Sequence, residues 1–205
     1  MLLVAKVHIP RKYGMRRAIG KDGINVKLAS ELTGYVINVT GPALKGGTWT
    51  PEDELQEVLL SNVPELRDGQ LIIEGLARIK GVGAKVLVAW KDQKAASGRA
   101  AWAPCVGHNN DRLNSIRDDL DGELIHFHPF SSNPKKLLPE CLYPLNPDEI
   151  ASIDFDYELK KAVVRLIDSA KSPDIWKGDF NMKLVRRLTG WDIVPISENR
   201  EKLNN

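Results

Sequence analysis

Four residues, Gly20-Lys21-Asp22-Gly23, carry the clearest chemistry in the chain. Glycine at both ends lets the backbone turn sharply and lets another backbone come close, because no Cβ stands in the way. The loop opens onto a helix whose free N–H groups and positive dipole end suit a phosphate. Lys21 adds a mobile positive charge, while Asp22 sets a negative one beside it and weakens the attraction. The chemistry implied is capture of a sugar-phosphate backbone, with no bond made or broken. An ordinary helix–turn–helix connection is the plain alternative.

The elements around the loop must hold it open. Ile24, Leu28 and Leu32 recur at helical spacing with Ala29 beside them, so one helix face can pack on a sheet. Gly34 stops that helix where a left-handed residue is needed, and Tyr35 to Val39 reads as a strand. Upstream, residues 2–9 alternate like a strand and Arg11 to Ile19 forms a short helix. A β-α-α-β order with GXXG between the helices is that of a KH domain, whose loop clamps about four nucleotides.

The run IGKDGINVKLASELTGYVINV (residues 19–39) resembles the last KH domain of NusA, the bacterial transcription elongation factor family, whose pattern is roughly IG+xGQNVRLAaxLTGWxIdI. Ile24 replaces the usual Gln, Lys27 the usual Arg and Tyr35 the usual Trp. The resemblance implies RNA contacts from Ile19, Gly20, Lys21, Asp22, Gly23, Asn25 and Lys27.

Residues 41–50 are a Gly-rich connector, and Thr50-Pro51-Glu52-Asp53 reads as a helix start: hydroxyl cap, Pro in the first turn, acids near the positive dipole end. Residues 70–79 and 84–90 read as two strands joined through Gly81 and Gly83. This segment resembles the opening of the family's first KH domain, including its VPE start (Val63-Pro64-Glu65) and the Ala77-Arg78 pair. Ala103 to Leu113 resembles the family's ACVG-x-x-G-x-R-V loop and helix, and Asp121 to Ile125 its xGExI strand start. Leu113, Ile116 and Leu120 lie on one face of the helix between. Residues 134–142 stand where the family bridges its two KH domains. Ile153 to Phe155 and Ala162 to Ile167 form a further hairpin.

The closing PDIWKGDFNMKLVRRLTGWDIVPI repeats the opening stretch at one constant offset: Ile19 with Ile175, Asn25 with Asn181, Lys27 with Lys183, and Leu32-Thr33-Gly34 with Leu188-Thr189-Gly190. The expected fold class is α+β, with three consecutive KH-like (type II, NusA-like) units, the first a minimal β-α-α-β core. The expected division is a core at 1–42 with an intact GXXG, a linker at 43–55, KH units at 56–143 and 144–196, and a polar tail from 197. A bare core is short of strands, and its exposed sheet edge invites pairing with the central unit or with a second chain.

The second loop keeps Gly107 but has Asn110 where the second glycine belongs. Asn tolerates positive φ better than most residues, so the turn can survive. The resemblance extends the RNA-binding set to Gly107, His108, Asn109, Asn110 and Arg112, the last able to pair bidentately with phosphate. In the third loop, Trp176-Lys177-Gly178-Asp179, both glycine positions are lost, and the clamp with them.

Other residues read as structural. His126 and His128 share a strand face and could hold a metal, but no third ligand is evident. Cys105 resembles the family's buried cysteine before the loop. Asp118, Asp119, Asp121 and Glu123 read as a solvated acidic patch, and Lys160-Lys161 and Arg186-Arg187 as exposed basic pairs. No nucleophile–base pair, phosphate-binding Walker loop or paired metal ligands appear, so neither an enzyme nor a cofactor is expected.

At 205 residues and 42% hydrophobic, the chain can bury real cores. With 29 basic and 27 acidic residues the net charge is +2, so nucleic-acid contact must come from local patches. Two cysteines suit a reducing compartment. No stretch reads as a signal peptide or membrane span, so a cytoplasmic protein is expected. The resemblance does not extend to the family's polymerase-binding domain or its S1 barrel. Two functions from different classes fit. One is binding of single-stranded, nascent RNA during elongation, termination or antitermination. The other is a protein–protein adaptor docking on RNA polymerase or transcription factors with little RNA contact.

Overall fold

A computed structural model of the chain describes residues 3–9, 18–40, 50–92, 96, 98–167 and 180–197. Most of the helix expected over Arg11–Ile19, the Gly-rich connector and the Trp176–Asp179 loop lie outside the described residues.

Among the described residues, three sheets follow one another along the chain. In the first, β1 (Val4–His8) runs parallel to β2 (Val36–Thr40). In the second, β3 (Leu71–Ile79) is antiparallel to β4 (Gly83–Trp90), which is parallel to β5 (Leu124–Pro129). The third repeats that plan with β6 (Ile150–Asp156), β7 (Lys161–Leu166) and β8 (Asp192–Ser197). The mixed helix and strand content is that of α+β KH units. One cross-strand pair recurs at the same place in each parallel ladder: Ala5 with Ile37, Ala84 with Ile125, Ala162 with Ile193. Small opposite branched lets a helix lie close over that point of the sheet.

The repeated Leu-Thr-Gly has a local cause. Helix α1 (Ile24–Thr33) ends at Gly34, with φ +70°, whose N–H reaches the Ser30 carbonyl. The Thr33 hydroxyl donates to the Ala29 carbonyl at 2.7 Å and accepts the Tyr35 N–H at 3.3 Å. At the other end of the chain, the last helix (Phe180–Thr189) closes with the same bonds, from Thr189 to Val185 at 2.7 Å and from Trp191 to Thr189 at 3.3 Å. A threonine hydroxyl thus satisfies a terminal carbonyl and a strand N–H together, and the glycine takes the left-handed turn.

The second unit packs on α2 (Pro51–Asn62), opened by a Thr50–Asp53 capping box. Leu55, Val58 and Leu59 on α2, Val86 and Val88 on β4, and Ile116 and Leu120 near the end of α5 (Asp111–Asp119) make its core. Since α2 belongs to this core, the boundary expected at residue 56 falls inside a helix. The short α3 (Pro64–Arg67) and α4 (Ala103–Val106) complete the unit. Then α6 (Pro134–Cys141) leads to the third unit, whose core joins Leu138 and Leu142 to Ala162, Val164, Val185 and Ile193. The last helix, α7, also lies against β3 and β4, so the second and third units share an interface.

The first unit differs: none of its described residues is buried. The spacing of Ile24, Leu28 and Leu32 predicts the face that packs on the sheet, and this is corrected by the fold. Those three side chains are exposed, and Val26, Ala29 and Ser30 are the half-buried side of α1, with the Ser30 hydroxyl accepting the Ile37 N–H at 3.2 Å. Among the described residues, β1 has no strand on its outer edge, and it does not pair with the central unit.

Candidate nucleic-acid interface

The first loop forms between helical residues Ala18–Ile19 and α1. Gly20 has φ +76°, Asp22 φ +52° and Gly23 φ +75°. The Gly23 N–H closes the turn on the Gly20 carbonyl at 3.2 Å. A Cβ on Gly20 would stand 2.7 Å from the Asn25 side chain, so glycine is required there. Asn25 therefore lies over the loop, and no described residue stands within 4 Å of a Cβ on Gly23.

From this loop a groove of about 580 Å³ runs along the sheet, lined by Ile19, Gly23, Val26 and Lys27 on one side and by Lys6, Ile37 and Asn38 on the other. Its floor is apolar and its rim carries two lysines. Of the residues expected to touch RNA, the structure brings Ile19, Gly23 and Lys27 to the groove itself and places Gly20 and Asn25 at its mouth. Asp22 is exposed in the loop. Lys6 and Asn38, cross-strand partners on β1 and β2, also line the groove and were not among the expected contacts. Their signal was available: each stands one residue from the recurrent Ala–Ile pair.

The second loop repeats the first in backbone. Gly107 has φ +76°, Asn109 φ +49° and Asn110 φ +62°. Asn110 thus adopts the left-handed turn of Gly23 despite its side chain, asparagine being among the few residue types that tolerate this. His108, Asn109 and Asn110 are exposed. The two loops lie on different units, and each is continuous with its own helix.

Arg112 pairs with protein groups. Its Nη1 donates to Glu65 Oε2 at 2.6 Å and to the Pro104 carbonyl at 2.8 Å. The arginine of the loop motif is thereby tied to the glutamate of the Val63-Pro64-Glu65 segment, which fixes the loop against α3. Gly107 is needed beneath it, for a Cβ there would come 2.8 Å from Arg112 Cγ.

One structural reading is corrected. Glu123 is no part of a solvated patch: it is buried and receives the Arg78 guanidinium, while Asp119 accepts from Asn62 at 2.8 Å. His126 and His128 turn inward towards Lys85, whose ammonium donates to the Tyr143 carbonyl, and His126 meets the Tyr143 ring edge-on at 4.9 Å. Burial and the neighbouring Lys85 charge push the two imidazoles down to about 4 and about 3. Among the described residues no group of three or more His, Cys, Asp or Glu is placed to hold a metal ion. Arg186 and Arg187 are exposed, as expected, and each also donates to a carbonyl, that of Ile193 and that of Arg78 respectively. Cys105 is buried, as its packing reading has it, and burial pushes its thiol up to about 12. No described helix is long and apolar enough to cross a membrane.

Residues 4–43 match the family model of the NusA-like second KH domain, and residues 50–129 that of the NusA-like first KH domain. The transcription termination/antitermination protein NusA of Thermus thermophilus is 31% identical over 142 residues, covering 69% of this chain and 35% of that protein. The protein of the same name from Borreliella burgdorferi is 31% identical over 140 residues, 68% of this chain and 28% of that one. That from Mycobacterium tuberculosis is 28% identical over 174 residues, 83% of this chain and 48% of that one. The chain thus spans less than half the length of each of these relatives.

Proposed function

For a chain that carries NusA-like second and first KH domains, in that order, we propose the binding of single-stranded, nascent RNA and the modulation of transcription elongation, termination or antitermination. The observation that carries this is the groove beside the first loop. Gly20 and Gly23 let a phosphate approach the start of α1, and the apolar floor formed with Val26 and Ile37 receives unstacked bases. Ile19, Gly20, Lys21, Asp22, Gly23, Asn25 and Lys27 form the principal contact. Gly107, His108, Asn109 and Asn110 form a second one, supported by the matching backbone turn. Arg112 shapes that second loop from behind, so its contribution is to hold the turn.

RNA polymerase or its associated factors are the protein partners in this reading, and the cytoplasm is the compartment. The division into units at 1–42, 56–143 and 144–196 belongs to the same proposal, with α2 added to the second unit.

The test is fluorescence anisotropy of the full chain with a labelled single-stranded RNA across a salt series. The wild type binds at low salt, and its slope against log salt reports the phosphates neutralised. Lys21→Asp combined with Asp22→Asn lowers the affinity and flattens the slope by about one unit while the circular dichroism spectrum is unchanged. A wild-type protein without RNA affinity at low salt overturns the proposal. Retention of polymerase from lysate after nuclease treatment by such a protein would establish the adaptor instead.

A further inference from the structure

The two repeat helices are apolar on two sides, but only one of them is covered on both. On α7, Met182 and Val185 enter the core of the third unit. Leu184 is buried as well, and Leu188 lies over β3, its Cδ1 3.4 Å from where a Cβ on Gly75 would stand. The residues that match Leu184 and Leu188 in α1 are Leu28 and Leu32. They are 49% and 87% exposed, with Ile24 beside them at 50%. Three large apolar side chains at i, i+4 and i+8 thus form a ridge on the side of α1 away from its own strands. Such a ridge on a short helix is a packing surface.

Position 31 decides what covers it. In α7 the matching Arg187 donates to the Arg78 carbonyl on β3. In α1 that place is held by Glu31, a carboxylate with nothing to donate, so α1 does not fit a sheet of the β3–β4 kind in the same pose. Lys27 and Glu31 instead run together along one flank of the ridge, both exposed. Laid antiparallel on itself about a two-fold axis, the ridge sets Leu28 against Leu28 and Ile24 against Leu32. Because the axis keeps the charged flank on the same side in both copies, Lys27 of each comes within a turn of Glu31 of the other. The ridge thus faces a copy of itself, and each Lys27, set equally close to Lys27 and Glu31 of the other copy, pairs with the carboxylate.

We propose that this ridge is the contact of a homodimer, paired antiparallel through Ile24, Leu28 and Leu32 with Lys27–Glu31 pairs at the rim. The groove floor at Val26 lies on the opposite side of α1, so each copy keeps its groove open, while Lys27 stands on the flank that the groove and the ridge share. Three side chains per copy make a small interface, so the dimer is dependent on concentration.

Sedimentation equilibrium of the full chain tests it. The mass average rises towards twice the chain mass between about 10 μM and about 1 mM. Leu32→Lys, at a site too exposed to affect folding, keeps the protein a monomer over that range. Glu31→Lys weakens association several-fold, and the exchange Lys27→Glu with Glu31→Lys restores it. Leu28→Cys gives a disulfide-linked dimer under mild oxidation, since the native Cys105 and Cys141 are buried. A wild type that stays monomeric at the highest concentration overturns the proposal. So does a dimer that survives Leu32→Lys, which must then form elsewhere, the outer edge of β1 being the obvious place.

Discussion

The guanidinium of Arg78 and the carboxylate of Glu123 meet face to face inside the second unit, Nε to Oε2 at 2.7 Å and Nη2 to Oε1 at 2.8 Å. Arg78 is 2% exposed. Its remaining nitrogen, Nη1, donates to Glu54 and to the Pro51 carbonyl, both at 2.8 Å, and Glu123 also accepts the Gly81 N–H at 2.7 Å. One ion pair therefore ties the β3–β4 turn, the first turn of α2 and the start of β5. Two motifs that resemble the NusA pattern separately, Ala77-Arg78 and Gly122-Glu123, are two halves of one contact.

Glu123→Gln leaves the Arg78 charge buried with Glu54 as its remaining carboxylate. A buried pair broken on one side costs about 3–5 kcal/mol. Urea denaturation is expected to show a loss near the lower end of that range, because Glu54 remains. An unchanged midpoint would mean that the pair contributes nothing.

Acid acts through the seam beneath β4 and β5. Burial first, then the Lys85 charge, holds the His126 imidazole down at about 4 and His128 at about 3, below the ordinary 6.5. His128 is 5% exposed and its Nε2 has no hydrogen-bond partner among the described residues. Below pH 6.5 the unfolded chain takes up these protons before the folded one does. Stability therefore falls as pH drops from 6.5 towards 4 and on towards 3. Lys85, lowered by burial to about 8, gives the same sign at the other end, with stability rising between pH 8 and 10.5. Urea midpoints across pH check both limbs, and His128→Phe should flatten the acid limb while leaving the alkaline one.

Asn110 and Gly23 share a backbone turn, with φ +62° and +75°. Asn110→Gly removes a side chain from the left-handed region at the cost of a more flexible unfolded chain. Its net effect on stability is within about 1 kcal/mol. It also clears the approach to the second loop, so RNA affinity rises several-fold by anisotropy. Asn110→Val, a β-branched residue at the same φ, lowers the melting temperature and leaves affinity no better than that of the wild type.

Local chemistry was legible in the chain itself. Glycine positions, the Thr33 and Thr189 caps and the Thr50 start depend on residues within four places of one another, and all formed as their types dictate. The KH order followed, because each unit's strands and helices are set by such local signals. Tertiary structure alone decided which side of a helix or strand met protein. The spacing of Ile24, Leu28 and Leu32 marks an apolar face but carries no information about its cover. The fold left that face open, while the matching Leu184 was buried. Arg112, Glu123 and His128 look the same in sequence whether wet or dry. Their surroundings come from Glu65, Arg78 and Lys85, brought in from more than forty residues away.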